Sequence, residues 1–438
     1  MKKALQKPDL NFWKIWNINF GFFGVQIAYA LQNANNSRIF STIGADPHQL
    51  GYFWILPPLM GVLIQPIVGI MSDRTWTKWG RRIPYLLFGA IASVIVMALL
   101  PNAGSFNFTI AAAMLFGLIA LMVLDTAINV AMQPFKMMVG DMVNEKQKKL
   151  AFSVQSFVCN AGNFVGFLFP ILFTWIGISN TAAEGVVPDS VIYSFYGGAA
   201  ILIGCVLYTI FNVKEMPPEE YNKFHGIEES EKKEKVNLFK LLKNAPKAFW
   251  TVGLVQFFSW SAFMYMWTYS GLAVAQNVWN TTDVKSAGFQ EAGNWVGVLF
   301  AVQSVGSIIW AVVLPFFKSN KMAYFVSLLL GGIGFVSTFF ITDQYMLFGS
   351  YMLIGCAWAA VLALPFTILT NSLTGGNMGA YLGLFNGTIC LPQIVAAALG
   401  GLVLKYVVGG SPIAMLVIAG ILLIIGAFTV FIINEDKE

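Results

Sequence analysis

Charge is the scarcest ingredient of this 438-residue sequence: 11% of its residues are Asp, Glu, Lys or Arg, against 57% apolar. An average soluble domain carries roughly 25% charged residues. So little charge cannot cover a 48.1 kDa globule in water. A water-soluble fold is excluded, and the bilayer is read as the solvent. The four cysteines, Cys159, Cys205, Cys356 and Cys390, lie inside apolar runs with no C-x-x-C spacing, and His48 and His225 are the two histidines. Neither a disulfide framework nor a zinc site is suggested, and no cofactor is implied. The absence of a G-x-x-x-x-G-K-S/T loop and of H-E-x-x-H argues against an ATP-driven pump and an intramembrane metalloprotease. The basic start, MKKALQKPDL, shows no small-residue cleavage site, so the first apolar run is read as a retained span.

What is present is apolar runs. A span needs about 20 mostly apolar residues, and twelve are predicted: 12–32, 51–71, 83–100, 108–141, 150–178, 190–212, 248–276, 291–317, 321–342, 345–372, 378–404 and 412–433. The fourth and fifth exceed one membrane thickness and are expected to project beyond it. The reading is an all-α polytopic membrane protein. Residues 213–247 hold 15 of the charges. They divide the chain into a six-helix half (1–212), a solvated linker (213–247) and a second six-helix half (248–438). Lys2, Lys3, Lys7, Arg74, Lys78, Arg81, Arg82, Lys146, Lys148, Lys149, the linker lysines, Lys318 and Lys321 fall on one side; Arg38, Lys285 and Lys405 fall on the other. This bias puts both termini in the cytosol. The basic residues are dispersed over loops, so they read as topology signals rather than as a nucleic-acid surface. Pro134-Phe135 and Pro365-Phe366 stand 231 residues apart, with Gln155 falling on Asn386, as parallel halves would require.

Most carboxylates sit in or beside loops, but Asp125 lies about 18 residues, or roughly 27 Å, into the fourth span. A carboxylate in hydrocarbon must face a bundle interior, pair with a cation or take a proton, and by default marks a transport pathway. Asn129, Met132 and Lys136 follow on the same helical face, with Gln133 to one side and Pro134 interrupting the ladder. Lys136 reads equally as a substrate contact and as a cation snorkelling to the interface. Amides form further stripes: Asn19, Gln26 and Asn33; Ser156, Asn160 and Asn163 with Gln155; Asn386 and Gln393. Residue by residue these suit interhelical hydrogen bonds. Together they suit sugar hydroxyls, because an amide donates and accepts without a charge to desolvate. Gln256, Trp260, Phe263 and Trp267 make an amide and aromatic wall on which a pyranose face can stack. Gly162 and Gly166, and Gly379, Gly383 and Gly387, are small-xxx-small repeats for close helix approach.

The loop Gly69-x3-Asp73-Arg74-x5-Gly80-Arg81-Arg82 resembles the signature of the major facilitator superfamily, with the longer insertion of its sucrose-type branch (related to the glycoside-pentoside-hexuronide carriers). LDTAINVAMQPFKMMVGDM, FSVQSFVCNAGNFVG, LGLFNGTICLPQIV and the Gly44 to His48 segment resemble that branch too. The resemblance implies a major facilitator fold and a proton-coupled disaccharide symporter, not an enzyme, with Asp125 as the protonatable group. It carries over a base at position 136, an arginine in the plant relatives and Lys136 here, which weakens a bidentate contact. Asp73, Arg74, Arg81 and Arg82 lie at the membrane edge, so they are expected to latch the inner gate rather than to touch substrate, and the resemblance carries over His48 as an outer-gate residue. The expected substrate-binding set is Gln26, Asn33, Asn129, Lys136, Gln155, Asn160, Asn163, Gln256, Trp260, Trp267, Asn386 and Gln393. Alternating access around a midplane site is expected in a membrane, with disaccharide and proton as partners and a monomer sufficing. The compact loops read as a bacterial inner-membrane protein and favour an α-glucoside such as maltose over sucrose. A sodium-coupled sugar carrier and a non-transporting sugar receptor are the alternatives; one buried carboxylate rather than a cluster favours the proton.

Overall fold

The computed structural model describes residues 7–106, 108–225, 242–372, 381 and 384–433. The chain is helical along nearly all of them: α1 (Phe12–Ile43), α2 (Leu50–Phe53), α3 (Leu56–Arg74), α4 (Ile83–Leu99), α5 (Ile110–Met142), α6 (Glu145–Trp175), α7 (Asp189–Asn212), α8 (Pro218–His225), α9 (Lys247–Val278), α10 (Ala287–Val313), α11 (Asn320–Ser337), α12 (Leu347–Ser372), α13 (Gly387–Leu402) and α14 (Pro412–Thr429). Ten of these segments are long and apolar enough to cross a membrane. The two remaining long helices, α1 and α9, are 32 residues each. Their apolar character is diluted by seven Asn and Gln in α1 and by tryptophan, tyrosine and hydroxyl residues in α9. Buried side chains in a bundle interior can be polar where lipid-facing ones cannot.

Local chemistry sets several boundaries. Thr109, Asn144, Ser286 and Ser319 cap α5, α6, α10 and α11, each side chain accepting from a backbone N–H three residues on. α5 and α6 run to 33 and 31 residues, longer than one membrane thickness. Where the sequence predicts the first span to end at 32, α1 continues to Ile43. The reason is that Asn33, Asn35, Asn36, Ser37 and Arg38 are buried rather than solvated. Arg38 is therefore a helix residue and not a loop residue.

The chain forms two compact units. The first gathers Met1–Asn33, Met60–Ile178 and Asp189–Lys235; the second gathers Ala34–Leu59, Ser179–Pro188 and Val236–Glu438. In the first, α4 packs on α5 and α7, and α6 on α7. α1 meets α6 at two glycines, where a Cβ on Gly162 would stand 2.5 Å from the Phe23 carbonyl oxygen and one on Gly166 2.9 Å from that of Ile27. In the second, α9 packs on α14 and α13, α10 on α12, and α11 on α12 and α14. Gly387 has open space at its Cβ position, and Gly379 and Gly383 lie outside the described residues.

Candidate functional site

Asp125 is buried on α5 of the first unit. The Gln32 side-chain amide of α1 donates to its Oδ1, and its Oδ2 is buried with no hydrogen-bond partner. Asn129, one turn on, donates to the Asp125 backbone oxygen at 2.8 Å and accepts from Gln65 of α3 at 2.8 Å. No cation pairs with Asp125 among the described residues. Lys136 lies further along the helix with an exposed side chain and forms no ion pair with it. Among the described residues the carboxyl thus has one amide donor and no counter-ion.

The other amides of the first unit divide into two kinds. Gln155 is engaged, donating to Asn19 Oδ1 at 3.0 Å and to the Phe135 carbonyl, beside Pro134, at 3.2 Å. Asn160 donates to the Ser156 carbonyl at 2.8 Å. Gln26 and Asn33 are buried on α1, with the Gln26 stem against Gly162. Among the described residues Asn163 reaches only the Cys159 sulfur, and its Oδ1, like Gln32 Oε1 and Gln133 Oε1, is buried without a partner. Unsatisfied buried oxygens of this sort are acceptors for hydroxyl donors.

In the second unit Trp260 donates its indole N–H to Gln256, whose own amide nitrogen is buried and unpartnered. Trp260, Phe263 and Trp267 surround Trp358 at ring distances of 5.5, 4.9 and 5.8 Å, all edge-on. Trp54 lies nearly parallel to Trp267 at 6.3 Å, and its N–H donates to Ser37 Oγ at 2.8 Å. Trp54 and Trp358 were not among the expected residues; their only signal is a tryptophan within an apolar run. Gln393 is buried on α13, and Asn386, just before it, is half-buried with its amide toward the Cys390 sulfur.

The pattern of apolar runs also conceals Arg38. It donates to Gln290 Oε1 at 2.7 Å, Asn294 Oδ1 at 2.8 Å and Asn180 Oδ1 at 2.8 Å, while Gln290 in turn donates to Thr42 Oγ1 at 3.0 Å. Gly293 makes room for the guanidinium, since a Cβ there would stand 2.7 Å from Arg38 Cδ. The signal available was an arginine with no acidic neighbour, in a run of asparagines.

The α3–α4 loop is built as an ionic cluster. Asp73 Oδ1 accepts from Arg81 and Arg82, each at 2.6 Å, and Arg82 Nε also donates to Asp141 Oδ2 at 3.0 Å. Glu215 accepts from the backbone N–H groups of Arg81, Arg82 and Ile83 at 3.0, 2.8 and 2.8 Å, filling the place of an N-cap for α4. Burial pushes the Glu215 carboxyl above its ordinary value, against the pull of these three donors. The Arg81 guanidinium lies 4.1 Å from the Tyr221 ring centre. Within the stretch expected to be a solvated linker, Glu215 and Tyr221 contact the α3–α4 loop and the start of α4, because a buried arginine pair requires partners, while residues 217–220 are exposed. Arg74 is exposed and stands outside the cluster. His48 is half-buried and bonded to Asp46 at 2.8 Å; the His48 backbone N–H holds the Asp46 carboxyl below its ordinary value.

Residues 39–414 match the family described as MFS/sugar transport protein. The chain belongs to that family. This major facilitator sugar transporter is a multi-pass membrane protein, and its relatives are transporters rather than enzymes. It is 25% identical to the General alpha-glucoside permease of Schizosaccharomyces pombe over 66% of its own length and 54% of the permease, so it spans about half of that relative. It is 23% identical to Sucrose transport protein SUT5 of Oryza sativa subsp. indica over 86% of its length and 79% of the rice protein. Among solved structures it is similar to the nucleoside transporter NupG, with a TM-score of 0.69 and 14% identity over 96% of this chain and 99% of that one. A peptide transporter POT in complex with sulfate gives 0.67 and 14% over 98% and 96%. At such identity the likeness is one of fold.

Proposed function

We propose that this sugar transporter takes up a disaccharide, an α-glucoside such as maltose or sucrose, together with a proton, by alternating access of its two six-helix halves. The observation that carries the coupling is Asp125: a buried carboxyl with one amide donor, a bare Oδ2 and no cation among the described residues. An anion so poorly compensated costs several kcal/mol, and a proton on Oδ2 removes the charge without moving the backbone. The names of the fungal and rice relatives support the substrate class.

The chemistry assigned to the protein follows from its donors and acceptors. The unpartnered oxygens of Gln32, Gln133 and Asn163 accept from sugar hydroxyls, and Gln256 Nε2 donates to one. The tryptophans about Trp358 offer faces for a pyranose ring. Lys136, Gln26, Asn33, Asn129, Asn386 and Gln393 complete the proposed contacts. Both termini are assigned to the cytosol of a bacterial cell, so protonation occurs from outside and release inside. The Asp73–Arg81–Arg82 cluster then latches the inner gate, His48 belongs to the outer one, and the monomer is the working unit.

Proton flux in liposomes holding the purified protein tests this. Maltose or sucrose added outside is expected to alkalinise the medium, and a panel of disaccharides ranks the substrates. Sugar uptake that follows a sodium gradient and survives an uncoupler overturns proton coupling; binding without counterflow overturns transport.

A further inference from the structure

A large cavity lies away from Asp125, which is not among its lining residues. It has a volume of about 680 Å³ and lies within the first unit, where the start of α1, the α3–α4 loop, the end of α5 and the segment after α7 come together. Pockets of roughly 300–1,000 Å³ hold a ligand of drug size. Leu10, Ile18, Met142 and Val213 make part of its wall apolar, and Trp76 and Trp79 stand at its side, Trp79 largely exposed. Lys14, Lys78 and Lys214 line it from three different segments, and none makes a side-chain hydrogen bond or ion pair among the described residues. Of the two acids on the wall, Glu215 is committed to the three N–H groups of residues 81–83, which leaves Glu220 against three lysines.

We infer that this cavity binds an anionic phospholipid of the adjoining leaflet, its phosphate among Lys14, Lys78 and Lys214 and its first acyl carbons against the apolar wall. Three features favour a lipid over another anion. The cavity lies at the ends of membrane-spanning helices; its tryptophans suit the headgroup depth, where such rings concentrate; and its wall is amphipathic, with unpaired lysines beside bare hydrocarbon. Basic pockets between helices at that depth are a recurrent headgroup site. A lipid held there joins the α3–α4 loop to the segment after α7, the two pieces that Glu215 already ties together.

The test uses the full chain, delipidated in detergent and titrated with phosphatidylglycerol or phosphatidylcholine, with retained lipid counted by native mass spectrometry. A lysine near a membrane surface adds about fivefold in affinity for an anionic lipid, so the three predict a preference on the order of a hundredfold for phosphatidylglycerol. The Lys14→Gln, Lys78→Gln, Lys214→Gln triple variant is expected to lose that preference and the triple arginine variant to keep it. If the glutamine triple does not fold, Lys78→Gln alone reads about a fivefold loss. Equal retention of the two lipids by the unaltered protein, or an undiminished preference in the glutamine variants, overturns the inference. Displacement of the lipid by glycerol 1-phosphate at equal concentration overturns it in favour of a soluble phosphate ester.

Discussion

Asp125 and Arg38 are each 2% exposed, one in each compact unit, and neither has a counter-ion among the described residues. Both are surrounded by amides, yet in different number. Arg38 donates to three amide oxygens, whereas Asp125 accepts from one amide and keeps an oxygen bare. A hydrogen bond to a charged group contributes about 1.5–3 kcal/mol. Three such bonds offset most of the several kcal/mol that burying an ion costs, and one does not. The difference follows from chemistry: a guanidinium stays charged in proteins and must be solvated wherever it is put, while a carboxyl can shed its charge by taking a proton. Arg38 is thus the better solvated of the two ions, and the role proposed for Asp125 rests on that difference.

The sharpest way to break this contrast is Asp125→Asn. It keeps the shape and an acceptor for Gln32 but removes the exchangeable proton, so uphill sugar accumulation is expected to disappear while sugar exchange across liposomes persists. Accumulation at the unaltered level refutes the assignment. Arg38→Met should cost less function but more stability. It strips donors from three amides, two of them on α10, and a loss on the order of 3 kcal/mol is expected, read as a lowered unfolding temperature. Arg38→Lys should recover only part, because an ammonium cannot span the three acceptors as a planar fork does. The smallest effect is expected for Gln32→Leu, about 1–2 kcal/mol for the lost bond. A double-mutant cycle with Asp125→Asn should show the two coupled, and the same cycle with Arg38→Met should be additive.

How far this could be read in advance varies by residue. Asp125 was conspicuous because a carboxylate inside a 33-residue helix of apolar character needs no structural knowledge to be noticed. Gln32, its partner, was hidden beside Asn33, the member of the seven-residue stripe that periodicity selects. Periodicity selects Gln155 as a substrate contact, and in the fold it donates to Asn19 and the Phe135 carbonyl. The predicted end of the first span at 32 leaves Arg38 outside it, because a hydropathy pattern cannot distinguish a polar residue in water from one solvated by other helices. Glu215 and Tyr221 read as solvated linker for the same reason.

Solvent partition is additive along a chain, since each residue contributes its own transfer free energy whatever its neighbours. The membrane class, the number of apolar runs and the isolation of one carboxyl were therefore present in the one-dimensional pattern. Hydrogen-bond partnership is not additive. Gln32 meets Asp125 across 93 residues and Arg38 meets Gln290 across 252, pairings set by which faces of which helices pack together. How many partners a buried charge receives depends on those pairings, and so the single donor to Asp125 and the three acceptors about Arg38 emerged only with the folded chain.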